Sequence, residues 1–283
     1  MLKTVVTIVG IRPDFIRMAE IFKQLDQNFC HILIHTGQHF ERLLSDVFFE
    51  DLNIRKPDYN LCIGGANKPH HYQLADLSVT LVELLKEKQI NPDIILFLGD
   101  SNSVLVAPVL KKEGYKIGHI EAGMRSYDRR MFEEINRVVC DHVSDELFVY
   151  HEDYKTILLE EGIDSKHIHV VGNTIVEVCR KYAAPLFKTD KEDRQILLDI
   201  HRPENFNYPN RLDSILKFAS WCRKRYNLPV KMIRFERTLK ALKDNSVHLG
   251  DMELINKMSY LDFLGEQYHS AFLISDSGTA QEE

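Results

Sequence analysis

Ile94 to Arg137 reads IILFLGDSNSVLVAPVLKKEGYKIGHIEAGMRSYDRRMFEEINR. Five apolar residues, Ile94 to Leu98, run into Gly99-Asp100-Ser101, as a buried parallel strand does when it breaks toward a helix. A helical stretch follows, then a second short strand, Ile117 to Ile120, ending in Glu121-Ala122-Gly123. Open α/β sheets bind ligands at the carboxyl ends of their strands. Asp100 and Glu121 are therefore expected at the mouth of one crevice, joined by Glu133 or Glu134 from the next helix start. Crowded carboxylates raise one another's pKa, so that one holds a proton while another accepts one.

The same punctuation recurs on both sides of this stretch. Thr4 to Val9 is a β-branched run that stops at Gly10, and Pro13 suits a first helical turn. A strand, a turn and a helix N-terminus form an anion site, with Arg12 and Arg17 close enough to add guanidinium contacts to a phosphate. Cys30 to His35 is the next strand, followed by Thr36-Gly37-Gln38-His39 and a helical run to Phe49; Tyr72 to Lys88 has helical spacing of leucines. His70-His71 has no acidic partner at metal-ligand spacing and reads as solvated. Strands at Leu147 to Tyr150 and Ile168 to Val171 alternate with helices at Asp153 to Glu161 and Ile175 to Tyr182. The charged run Lys188 to Arg194 reads as a linker.

A second alternation begins at Ile196 to Ile200, ending in His201-Arg202. Helices are expected over Arg211 to Tyr226 and from Thr238. Strands are expected at Val230 to Phe235 and Ala271 to Ile274, with a short apolar run, Val247 to Leu249, between them. His201-Arg202 offers charge-assisted contact to a phosphate, and Ser275-Asp276-Ser277-Gly278-Thr279 reads as a phosphate cradle or a set of helix caps. Glu282 and Glu283 lie on the turn beyond, at a spacing suited to ribose hydroxyls. The pattern predicts doubly wound α/β architecture twice over, with domains at 1–175 and 176–283.

Composition narrows the classes. With 283 residues, 44% hydrophobic and 28% charged, the chain is long enough for about two globular domains. A net charge of −6 argues against a broad nucleic-acid surface. Five widely spaced cysteines without a C-x-x-C pair read as free thiols in a reducing cytoplasm. The N-terminus enters a strand too quickly for a signal peptide, and no apolar run approaches the ~20 residues of a membrane span.

Eight motifs then fall in one order: Gly10-Ile11-Arg12-Pro13-Asp14, Thr36 to His39, Gly99 to Asn102, His119 to Arg125, Glu133 to Arg137, Gly172-Asn173-Thr174, His201-Arg202 and Ser275 to Glu283. Together they resemble the non-hydrolysing UDP-N-acetylglucosamine 2-epimerases. The resemblance implies a GT-B architecture of two Rossmann-like domains facing a cleft that takes the UDP-sugar. It also implies elimination of UDP from C1 and a proton from C2, then re-addition through 2-acetamidoglucal. Asp100, Glu121 and Glu133 match the acid/base positions, and His201 is a further catalytic match. Arg12, Arg17, Arg137, Arg202 and the Ser277-Gly278-Thr279 turn match substrate contacts, with Glu283 on the ribose. Gln38 and His39 match a second UDP-sugar site of bacterial members. The family needs no metal or other cofactor and forms homodimers, and its product feeds cell-surface polysaccharide.

The chain departs from the family pattern at Arg17 (a lysine there), Phe132, Pro203 and the end of the strand Val230 to Phe235, where a family histidine is lacking. The family also continues past the position of Glu283, so the second domain is expected to be incomplete, as in a C-terminally truncated member. Other expected readings are a sister epimerase of another UDP-2-acetamido sugar, a hydrolysing relative, and an inactive nucleotide-sugar-binding remnant.

Overall fold

The computed structural model describes residues 2–37, 46–63, 69–186 and 194–283. The chain divides into two compact units, Met1–Val178 and Cys179–Glu283. Most of the expected linker, and the motif residues Gln38 and His39, lie outside the described residues.

In the first unit, seven parallel strands are β1 (Thr4–Val9), β2 (Cys30–His35), β3 (Tyr59–Asn60), β4 (Ile94–Leu98), β5 (Ile117–Ile120), β6 (Glu146–Val149) and β7 (Ile168–Val170). Their order is β3-β2-β1-β4-β5-β6-β7, all parallel. The helices are α1 (Arg12–Asn28), α2 (Asp46–Asp51), α3 (His70–Glu87), α4 (Ala107–Lys112), α5 (Phe132–Val143), α6 (Glu152–Glu160) and α7 (Thr174–Ala183), the last crossing the unit boundary. Strand order reverses between β1 and β4, which makes their carboxyl ends the switch point where such sheets bind ligands.

The apolar runs are buried because both sheet faces are covered. Val6, Ile8, Ile34, Ile95, Phe97 and Ile117 form one core with Leu77, Leu81 and Leu85, which recur every four residues along α3. Filling that face matters: truncating one such leucine to alanine typically costs about 2–5 kcal/mol. A second cluster joins Ala122, Leu147 and Val149 to Leu158 of α6.

The second unit contains β8 (Gln195–Asp199), β9 (Val230–Ile233), β10 (Glu253–Ile255) and β11 (Ser270–Ser275). Its helices are α8 (Pro203–Phe206), α9 (Pro209–Tyr226), α10 (Glu236–Asp244), α11 (Tyr260–Tyr268) and α12 (Gly278–Glu282). The strand order β10-β9-β8-β11, again all parallel, repeats the β3-β2-β1-β4 arrangement of the first unit.

Three local expectations change. The chain does not pass straight from Gly99-Asp100-Ser101 into an α-helix but takes a 3-10 turn, Asn102–Val106. Pro108 supplies the reason, since it has no N–H to continue a ladder and suits only the start of α4. The short apolar run Val247 to Leu249 forms no regular element. Ser246, at φ +54°, reverses the chain after α10, Val247 N–H closes onto Leu242 C=O at 3.0 Å, and the strand forms later as β10. The two-residue β3 has no apolar run of its own and is held by its pairing to β2.

Candidate active site

Gly99 carries the chain out of β4 at φ +70°, a conformation that only glycine adopts without strain. Asp100 follows. In the neighbouring turn Glu121 itself stands at φ +69°, an uncommon conformation for a residue with a side chain. The N–H groups of Glu121 and Ala122 both bond Phe148 C=O, at 3.1 and 3.3 Å, which bends the chain there. Gly123 must be glycine, because an added Cβ would come within 2.6 Å of Tyr154 C=O.

The two acids do not meet as bare carboxylates. Arg137 Nη2 donates to Asp100 Oδ2 at 2.5 Å and to Glu121 Oε1 at 2.8 Å. Arg17 Nη1 pairs with Glu121 Oε2, and Tyr150 Oη reaches the same oxygen at 3.4 Å. Glu121 is 4% exposed, with a guanidinium on each oxygen. The expected crowding of carboxylates is thus replaced by alternating charges, which removes most of the repulsion on which that expectation rested. The other oxygen of Asp100 has no hydrogen-bond partner among the described residues, and its side chain keeps 29% of its exposure. This makes Asp100 the more accessible acid.

Arg17 and Arg137, expected as substrate contacts, stand beside the same acid. Both are buried, and both bind Glu121. Arg12 stands at the first position of α1. The anion site expected at that helix start is already filled: Gly10 and Ile11 donate their N–H groups to Asp14 Oδ2 at 2.8 and 3.1 Å. Asp14 is 4% exposed. Burial pushes its pKa up to about 7, against its two backbone hydrogen bonds, and the charge of Asp100 adds to the rise. An acid three residues into a helix is an ordinary capping signal, so nothing in the sequence separated it from a surface cap.

Burial distinguishes Glu133 from Glu134. Glu134 accepts from Ser126 N at 2.7 Å, Ser126 Oγ at 3.0 Å and Tyr127 N at 3.0 Å, fixing the loop before α5. Glu133 is exposed and makes no hydrogen bond among the described residues. It lies one turn before Arg137 on α5, hence on the same helix face. Asn136 adds a bond to Asp100 C=O at 2.8 Å.

Beneath the two turns lies a buried His119–Asp141 pair. His119 Nδ1 meets Asp141 Oδ1 at 2.6 Å and Nε2 meets Gly99 C=O at 2.8 Å. Asp141 also accepts from Gly123 N at 3.1 Å and pairs with Arg125 at 2.7 Å. Burial opposes charge on the imidazole, but Cys140 and Asp141 more than offset it and raise its pKa. Both glycine turns are tied to one charged floor, visible in the sequence only as a histidine inside a strand.

In the second unit, Asp276 fills the turn after β8. It accepts from His201 N, Arg202 N and Asn205 Nδ2, each at 3.0 Å. His201 Nδ1 lies 3.0 Å from Asp199 Oδ1 and 3.3 Å from Asp276 Oδ1. The hydrogen bond to Asp199 raises the His201 pKa, against partial burial. Asp199, His201 and Asp276 have ligand atoms within 4.8 Å of one another, a spacing a metal could use. Their facing atoms already bond one another and N–H or O–H donors, Ser275 Oγ on Asp199 included, so the cluster works as a hydrogen-bonded support for His201. Ser277 Oγ caps α12 through Ala280 N at 3.3 Å, and Gly278 lies beside Arg202. Thr279 lies in the same short turn, its C=O accepting from Glu283 N at 3.1 Å, whereas the Glu283 carboxylate accepts from Gln267 Nε2 at 3.1 Å.

Comparison with known proteins adds to this geometry. A family model described as UDP-N-acetylglucosamine 2-epimerase matches residues 23–283. A UDP-N-acetylglucosamine 2-epimerase of Methanococcus maripaludis is 37% identical over 98% of this chain and 78% of its own length. A UDP-2,3-diacetamido-2,3-dideoxy-D-glucuronate 2-epimerase of Pseudomonas aeruginosa is 34% identical over 99% of this chain and 79% of its own. Among solved structures, Methanocaldococcus jannaschii UDP-GlcNAc 2-epimerase in complex with UDP-GlcNAc and UDP superposes with a TM-score of 0.86. It is 34% identical, and the match covers 99% of this chain and 80% of that one.

Proposed function

The chain belongs to the UDP-N-acetylglucosamine 2-epimerase family, and we propose that it interconverts UDP-N-acetylglucosamine and UDP-N-acetylmannosamine. The observation that carries this reading is the pair of acids, Asp100 and Glu121, bridged by Arg137 at the ends of adjacent strands. The C2 proton of the sugar is too weakly acidic for simple removal. Elimination answers this: the C1–oxygen bond breaks, UDP leaves with its electron pair, and a base takes the C2 proton to give 2-acetamidoglucal. Re-addition of UDP with proton return to the opposite face yields the epimer.

Asp100, with its open oxygen, is suited to carry the C2 proton. Glu121, held between two guanidiniums, supplies a fixed negative charge toward the cation developing at C1. Glu133, unengaged at the start of α5, is the third acid/base group. In the second unit, His201, Arg202 and the Ser277-Gly278-Thr279 turn are suited to the diphosphate, with Glu283 on the ribose; in the first unit, Arg12 offers a guanidinium to the substrate. Catalysis by a homodimer in the cytoplasm, supplying cell-surface polysaccharide, completes the reading.

Proton NMR of the purified protein with UDP-GlcNAc in D2O tests it. Deuterium at C2 of both UDP-GlcNAc and a new UDP-ManNAc signal is expected. A C2 position that stays protonated with no UDP released refutes the reading. The P. aeruginosa relative supports a second reading, the same C2 chemistry on a 2,3-diacetamido uronate. Exchange with that substrate and none with UDP-GlcNAc selects it.

A further inference from the structure

A string of hydrogen bonds runs from α3 to the backbone of Asp100 through side chains that the reaction scheme leaves unused. Asn136 of α5, 4% exposed, gives its amide to Asp100 C=O at 2.8 Å and to Asn102 Oδ1 at 3.2 Å. Asn102 opens the 3-10 turn, which packs against both α3 and α5. Its own amide nitrogen stands 3.0 Å from Nδ1 of His70, the first residue of α3. His70 is exposed, as a solvated histidine would be, yet it is engaged on two sides. Its ring also lies 5.7 Å from that of Phe132, the residue before Glu133.

The string has a direction. A carboxamide donates only through its nitrogen and accepts only through its oxygen. Asn136 spends its nitrogen on both Asp100 C=O and Asn102, so Asn102 turns its oxygen toward α5 and its NH2 toward α3. His70 meets that NH2 with a lone pair on Nδ1 and therefore carries its proton on Nε2. Turning the Asn102 amide over would set NH2 against NH2 at Asn136 and break the string at its buried end. The acceptor on His70 and the donor on Asn136 thus select the same orientation of Asn102 from opposite sides. What they hold is the peptide that follows Asp100, whose carboxylate makes one hydrogen bond among the described residues, to Arg137.

We propose that His70 and Asn102 are positioning residues for the epimerisation: the His70 lone pair orients the Asn102 carboxamide, which seats the Asn136 amide on Asp100 C=O and so sets the direction in which the Asp100 carboxylate meets the sugar. This rests on the epimerase reading of the site. Both residues act through Asn136 and Asp100, not on the reacting carbons.

The test measures kcat and KM for C2 exchange on whichever of the two UDP-sugars wild type turns over. Asn102→Ala cuts the string and should lower kcat about tenfold with KM within about twofold of wild type, since a misplaced acid loses rate rather than affinity. His70→Ala removes only the outer acceptor and should lower kcat about threefold. His70→Asn, whose Oδ1 replaces the Nδ1 acceptor, should restore most of that loss. The double variant should be no slower than Asn102→Ala, because both changes break one string. A merely structural role would lower the thermal midpoint of both His70 variants alike, with no recovery of kcat in His70→Asn. If Asn102→Ala does not fold, the two variants at exposed His70 carry the test by themselves. Wild-type kcat in His70→Ala, no recovery in His70→Asn, losses confined to KM, or additive losses in the double variant overturn the inference alone. Absence of C2 exchange in wild type on both UDP-sugars overturns the epimerase reading and this inference with it.

Discussion

The turn after the first strand of each sheet is built alike and plugged differently. After β1, Gly10 and Ile11 give their N–H groups to Asp14, a residue of the helix that follows. After β8, His201 and Arg202 give theirs to Asp276, which comes from the end of the neighbouring strand β11. Asp276 follows β11 as Asp100 follows β4, and the two strands occupy the same place in the repeated order. In the second unit that acid folds back and clamps the turn. In the first, Asp14 has taken over the clamping, and Asp100 is left to turn toward Arg137 with one oxygen open. One architecture therefore yields a support acid in one unit and an accessible acid in the other. The difference is decided by whether the helix after the first strand brings its own carboxylate.

The largest expected effect breaks the symmetry from the catalytic side. Asp100→Asn should reduce kcat for C2 exchange by about 10²–10⁴-fold, the usual worth of a positioned acid or base. Its unfolding free energy should change by no more than about 1 kcal/mol, since Arg137 keeps Glu121 and Asp100 is partly exposed. A variant that unfolds instead of stalling would show Asp100 to be a clamp like Asp276.

Asp276→Ala tests the other side. It leaves the N–H groups of His201 and Arg202 and the Asn205 amide without their acceptor, so denaturant unfolding should show a loss of roughly 2–4 kcal/mol. Its effect on turnover should appear mainly as a raised KM, because His201 loses its orientation. A strong fall in kcat with stability intact would contradict the division of roles.

Smaller again is the contrast within the acidic pair of α5. Glu133→Gln should leave stability within about 0.5 kcal/mol of wild type while lowering kcat. Glu134→Gln should cost about 1–2 kcal/mol through the Ser126 and Tyr127 bonds. Equal stability losses would show that burial had assigned the pair wrongly.

The last contrast is a pH window for each unit. His201 has a raised pKa, so the Asp199–His201 bond stabilises the fold fully below about 6.5, the ordinary histidine value, and this is lost as pH rises through the raised one. Asp14 is raised as well, so its stabilisation is greatest below the ordinary carboxyl value of 3.8 and is lost as pH rises through about 7. Stability should therefore decline with pH in two adjacent steps, the upper one disappearing in Asp199→Asn. Equilibrium unfolding at closely spaced pH values checks this, and an upper step that survives Asp199→Asn would remove His201 as its source.

Much of this was legible before any coordinates. Apolar runs of four to six residues ending in Gly or acid, separated by helical spacing, identify parallel strands because periodicity and turn chemistry are local. Parallel strands in turn place their terminal residues at one edge, so Asp100, Glu121 and His201 were found at strand ends without knowing the strand order. Family motifs then attached a reaction to them. What remained hidden depends on residues that meet only in three dimensions. Arg17 reaches Glu121 across 104 positions of sequence, and Asp276 reaches Arg202 across 74. No local pattern distinguishes an arginine that binds a phosphate from one that holds an acid, or an aspartate that cradles a ligand from one that fills its own turn. Those choices follow from burial and from which donors the packed strands bring within hydrogen-bond reach. The sequence by itself determined the order of strands and helices and the set of charged groups at their ends; only the tertiary structure decided which of those charges neutralise one another and which face outward.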